Sequence, residues 1–107
     1  VRDLLKEEVP AISSVAFYEI WAGAKSQEEQ KIADFLSAFA VLPVTKEIAI
    51  QGAKYYREFR PKGLTLSTVD ALIAATAFHH HLTLVTQNIR DFPMTDFAKR
   101  SIDSMRS

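Results

Sequence analysis

The sequence predicts an α/β fold, a three-layer α/β/α sandwich with a mostly parallel sheet. Short β-rich runs at residues 9–13, 40–44 and 82–86 alternate with helical stretches, the pattern of parallel βαβ units. A serine or threonine stands at the start of most of those helices, where its side chain can cap the first turn. No repeat, low-complexity tract or linker interrupts the 107 residues, so a single domain is expected over 1–107.

Composition narrows the function classes. Hydrophobic residues make up 48% and charged residues 24%, ordinary for a soluble globular protein and enough for a core at this length. Basic and acidic residues balance at 13 each, which argues against indiscriminate nucleic-acid binding while leaving room for a local basic patch. The absence of cysteine excludes a disulfide framework, a zinc–thiolate site and a thiol nucleophile, and fits a reducing cytoplasm. No apolar run approaches the length of a membrane span, and the charged opening residues do not make a signal peptide.

Residues 1–8 read as the end of a helix that Pro10 stops. Residues 9–13 follow as a strand, and Ser13 or Ser14 caps a helix ending near Gly23. Ser26 to Glu29 reads as a capping box for an amphipathic helix reaching Phe39, with Ile32, Phe35, Leu36 and Phe39 on its apolar face. Residues 40–44 form a strand that Pro43 favours at a sheet edge. Thr45 caps the next helix, which runs to about Phe59 with Ile48, Ala49, Gly52, Tyr55, Tyr56 and Phe59 on or near its inner face. Arg60 to Gly63 is a loop. Ser67 opens an apolar helix that carries Asp70 and ends in His79, His80 and His81. The strand at residues 82–86 delivers a turn with Asn88 and Asp91. From Met94 onward no pattern is readable, and a frayed helix or a tail is expected.

Two charges are conspicuous. Asp70 is the only one between Gly63 and Arg90, and Glu19 the only one from Val9 through Ala24. A carboxylate in apolar surroundings is costly unless it is paired or put to use. Plainer readings stand beside this one. Asp70 completes a capping box with Ser67, Glu19 points outward from a wet helix face, and Asp91 sits in a polar turn that favours it locally. The functional reading joins the three. Helix starts and a strand end converge where open α/β sheets form ligand sites. Three converging carboxylates repel one another unless a cation neutralises them, and an all-oxygen cluster selects Mg²⁺ or Mn²⁺. Such ions assist phosphodiester hydrolysis.

Three groups of residues carry a resemblance: Ile12, Ser13, Glu19 and Gly23; Asp70 with Ile73, Ala74, Ala75 and Ala77; and Thr86, Asn88, Asp91 and Phe92. In this order they resemble the successive motifs of the PIN-domain family, specifically its VapC-type toxin ribonucleases, over most of the chain from Ile12 to Pro93. The resemblance implies that Glu19, Asp70 and Asp91 hold Mg²⁺ (or Mn²⁺) and carry the catalysis. Asn88 is then an accessory ligand or substrate contact, and Thr86 a hydroxyl that orients an acid. The implied activity is Mg²⁺-dependent endonucleolytic cleavage of RNA by the toxin of a type II toxin–antitoxin pair. Implied partners are an RNA substrate, a cognate antitoxin whose helix lies in a groove lined by Phe17 or Trp21, and a second copy of the chain.

The family's first acid, in an opening L-D-T-N-type strand, has no counterpart here. Asp3 falls after that strand's expected place. The resemblance therefore implies a PIN-like sandwich whose first central strand is absent from this sequence, with roughly two dozen residues expected upstream. An apolar final strand after Phe92 is likewise not readable.

Arg60, Lys62 and Arg90 are candidate phosphate contacts, set against plain solvated surface. The adjacent histidines point in different directions on a helix and suit its C-terminal dipole better than a metal. Trp21, Tyr55, Tyr56 and Phe59 are expected in the core or an interface. Two other readings stay open: a catalytically inactive PIN-like RNA- or protein-binding module, and a structural α/β domain whose acids are caps and surface groups.

Overall fold

The computed structural model describes residues 10–64, 66–86 and 89–101. The expected helix end at residues 1–8 and Asn88 lie outside them. The chain divides between Pro43 and Val44 into two compact units.

In the first unit, β1 (Ala11–Ser13) runs directly into α1 (Ser14–Ala22). Ser13 makes that junction. Its backbone is extended and its Oγ accepts from the Ala16 amide at 3.0 Å, which decides between the two candidate caps. Gly23 closes α1 with its amide on Glu19 O at 3.1 Å. A 3₁₀ turn, Ser26–Glu28, then leads into α2 (Glu29–Leu36). The capping box sits one residue earlier than the sequence suggested. The Lys25 amide, not that of Ser26, donates to Glu28 Oε1 at 2.9 Å. The helix also stops at Leu36 rather than Phe39, because Ser37 Oγ turns back to Asp34 O at 2.7 Å. Leu36 is buried as expected, but Phe35 is 64% exposed and leans on Phe39 instead of joining an inner face. The strand β2 (Ala40–Leu42) ends before Pro43 and pairs in parallel with β1, Ile12 opposite Val41.

The second unit is organised by two helices, α3 (Lys46–Phe59) and α4 (Thr68–His79). Thr45 caps α3, its Oγ1 accepting from Ile48 N at 3.2 Å. Every 3.6-residue step then turns the same side inward: Ile48, Gly52, Tyr55 and Phe59 are buried, while Ala49 and Tyr56 are exposed. At Gly52 the helices come close. A Cβ there would stand 3.0 Å from Leu72 Cδ2 and 3.5 Å from Ala71 O, so a side chain at this position would have to push the leucine aside and glycine suits the approach. Buried Ala71, Ala74 and Ala75 on α4 suit it from the other side.

The end of α4 explains the histidines. His80 caps the helix, His81 takes a left-handed conformation (φ 56°), and the amides of His81 and Leu82 return to Phe78 O and Ala77 O. That is a Schellman closure, with histidine where glycine is usual. The chain continues into β3 (Leu84–Thr86), a 3₁₀ turn Ile89–Asp91, and β4 (Lys99–Ser101). β4 pairs in parallel with β3, Leu84 opposite Lys99 and Thr86 opposite Ser101. This corrects the expectation of a frayed tail. Met94 is 1% exposed within the core, Phe97 packs against it, and Tyr55 Oη donates to Asp96 at 2.8 Å. The short Lys-Arg-Ser strand has no apolar alternation and gave no sequence signal.

Candidate functional site

Glu19 lies in α1, exposed, between exposed Tyr18 and Ile20. It is therefore not a buried charge, and burial does not oblige it to find a partner. Phe17 and Trp21, one turn apart on that helix, place their rings 6.5 Å apart. Glu19 remains the one carboxylate that α1 presents.

Asp70 stands at the third position of α4, half-buried. Its amide donates to Ser67 Oγ at 3.0 Å, the first half of a capping box. The second half is not made. Among the described residues the Asp70 carboxylate takes no hydrogen bond from the Ser67 amide and joins no ion pair. The cap is supplied by serine, and the carboxylate oxygens stay available at the positive end of the helix dipole.

Asp91 closes the 3₁₀ turn after β3, exposed, beside exposed Arg90. The backbone that follows it is firmly held. Phe92 and Met94 bury their side chains, and Lys99 Nζ donates to both Phe92 O and Met94 O at 2.6 Å. Neither Lys99 nor Asp96 was read from the sequence, since both fall in the stretch without periodicity. Thr86, the last residue of β3, is half-buried and makes interactions of its own.

Of the basic candidates, Arg60 places its guanidinium 5.7 Å from the centre of the Tyr56 ring, and Lys62 its ammonium 5.2 Å from that of Phe59. Arg60 and Tyr56 also line a recess of about 240 Å³ with Gly63, Leu64 and Leu66, immediately ahead of the Ser67 cap.

Within each unit, the described residues gather no group of three or more Asp, Glu or His about one point. The donor set still discriminates among ions. The candidate groups are carboxylates that join no ion pair among the described residues, there is no thiolate in the chain, and the three histidines sit at the C-terminal end of α4, opposite the end that carries Asp70. Hard oxygen donors of this kind fit Mg²⁺ or Mn²⁺.

A family model described as PIN domain matches residues 1–98. The chain belongs to the PIN-domain family. Ribonuclease VapC19 of Mycobacterium tuberculosis is 39% identical to this PIN domain over 88 residues, covering 82% of the chain and 70% of the relative. Ribonuclease VapC2 of Rickettsia felis is 32% identical over 94 residues, covering 83% and 70%. Among solved structures, the DNA-bound VapBC of Salmonella typhimurium superposes with a TM-score of 0.77 at 26% identity, over 85% of the chain and 74% of its own. VapBC-1 of nontypeable Haemophilus influenzae reaches 0.80 at 21% identity over 92% and 78%, a likeness of fold. The expected α/β class with parallel strand pairing is thus the fold of this PIN domain. Among the described residues, no helix is long and apolar enough to cross a membrane.

Proposed function

We propose that this PIN domain is the toxin of a type II toxin–antitoxin pair, a cytoplasmic Mg²⁺-dependent endoribonuclease working through Glu19, Asp70 and Asp91. The observation that carries the reading is the Asp70 carboxylate, which has no partner among the described residues because Ser67 alone supplies the cap. Its support is that VapC relatives at 30–39% identity are named ribonucleases, and that solved structures at 26% and 27% identity are VapBC complexes.

Glu19, Asp70 and Asp91 would hold the ion, with Asn88 as accessory ligand and Thr86 orienting an acid. When bound, the ion supplies Lewis acidity that stabilises negative charge on the departing oxygen. The carboxylates orient the attacking water and accept its proton. Its oxygen forms the new bond to phosphorus in line with the breaking P–O3′ bond, and the proton passes to the leaving 3′-oxygen. Arg60, Lys62 and Arg90 hold flanking phosphates. The antitoxin covers α1 around Phe17 and Trp21, and two copies of the chain pair.

Titration of Mg²⁺ or Mn²⁺ into the full chain tests this. The thermal midpoint is expected to rise in the wild type and to stay level in Asp70→Asn. RNA cleavage is expected to vanish in Glu19→Gln. A flat midpoint in the wild type, or undiminished cleavage by Glu19→Gln, overturns the reading.

A further inference from the structure

We propose that Lys99 is a positioning residue for Asp91, its ammonium clamping the backbone that carries the carboxylate. The proposal rests on the reading of Asp91 as a metal ligand. Lys99 Nζ donates to Phe92 O and Met94 O at 2.6 Å each, and hydrogen bonds from a charged donor at that length are strong. On the other side of the same residue, the Phe92 amide donates to Ile89 O at 3.0 Å and closes the turn Ile89–Asp91. The Phe92 and Met94 side chains, 4% and 1% exposed, anchor the segment in the core. Asp91 is therefore one residue from a backbone held by charge, by a turn and by packing, while its own side chain stays exposed.

Lys99 is itself well placed to hold. It opens β4, opposite Leu84 of the strand that leads to the Asp91 turn, and the Leu84 amide donates to Ala98 O at 2.9 Å. Both flanks of the Asp91 segment are thus tied to one another through a single ladder. Packing alone would be served by an apolar side chain. A half-buried ammonium that meets two carbonyls, and no carboxylate among the described residues, carries a desolvation cost without an ion pair to offset it. What it secures is placement: two carbonyls fixed on one point donor hold the backbone from which the Asp91 side chain projects. Partners that orient a ligand commonly matter to a metal site nearly as much as the ligand itself.

Mn²⁺ binding to the full chain, followed by loss of the free-ion electron paramagnetic resonance signal, reads this without reference to activity. Lys99→Met keeps the aliphatic stem and removes the ammonium. Its Mn²⁺ affinity is expected to fall about tenfold, the low end of what orienting groups contribute. Tyr55→Phe, which frees Asp96 in the same segment, controls for general loosening and is expected to bind within about twofold of the wild type. Unchanged affinity in Lys99→Met, or an equal loss in Tyr55→Phe, overturns the clamp. If Lys99→Met does not fold, the wild type decides by nuclear magnetic resonance. The Lys99 Nζ and the Phe92 and Met94 carbonyl resonances are expected to move with Mg²⁺ in step with the Asp91 carboxyl carbon, and resonances that stay put overturn it. Asp91→Asn separates the two ideas. If it binds Mn²⁺ as the wild type does, the metal reading falls and the clamp with it. If it loses the ion while Lys99→Met does not, only the clamp falls.

Discussion

The Asp70 amide donates to Ser67 Oγ at 3.0 Å, while the Asp70 carboxylate returns nothing to the Ser67 amide. A capping box would have bound both groups. Here serine carries the cap, and the aspartate oxygens, unpaired among the described residues, stand at a helix N-terminus where the dipole favours their charge.

The two residues should therefore separate in a stability measurement. Ser67→Ala is expected to cost about 1 kcal/mol by urea denaturation. Asp70→Asn keeps the amide bond to Ser67 and loses only the dipole term, about 0.5 kcal/mol. Equal losses would mean that the carboxylate shares the cap after all.

Tyr55 ties α3 to Asp96, 41 positions along the chain, and the bond is part-buried. Tyr55→Phe is expected to lower stability by about 1.5 kcal/mol, the order of a hydrogen bond to a charged acceptor.

The same tyrosine sets an alkaline limit. Burial, and then the Asp96 carboxylate, push its pKa up from the ordinary value of 10.0. Above that pH the unfolded chain has released the proton and the folded chain retains it, so stability falls as pH rises. Below pH 10 the contribution is fully present. Denaturation midpoints followed upward from pH 9 should decline less steeply in Tyr55→Phe than in the wild type.

His81 holds φ at 56° to close α4. His81→Gly removes the left-handed strain of about 1–2 kcal/mol and adds unfolded-state entropy of about 0.5–1 kcal/mol. A net gain of about 0.5 kcal/mol is expected in urea. A loss would show that the imidazole contributes something beyond the turn.

Ile48 is fully buried where α3 faces the core. Ile48→Ala should cost about 2–5 kcal/mol, the range for emptying a packed aliphatic site. Ala49→Ser, one residue on and exposed, should move the denaturation midpoint little.

The sequence by itself determined most local structure, because capping and periodicity act over a few residues. Ser13, Thr45 and Ser67 each accept the amide bond their positions imply, and the 3.6-residue spacing of Ile48, Tyr55 and Phe59 identifies the buried side of α3. The motifs around Glu19, Asp70 and Asp91, in that order along the chain, were enough to suggest the family. Tertiary structure decided what spacing does not encode. It left Phe35 at the surface despite its place on an apolar stripe, and kept Glu19 exposed although its neighbours in sequence are aromatic. It also turned an unpatterned tail into β4, the Asp96 acceptor and the Lys99 clamp. The reason is physical: β4 owes its place to β3 and Asp96 its bond to Tyr55, partners that no local window contains, while Lys99 reaches carbonyls only five and seven residues back through a contact that leaves no periodicity to read.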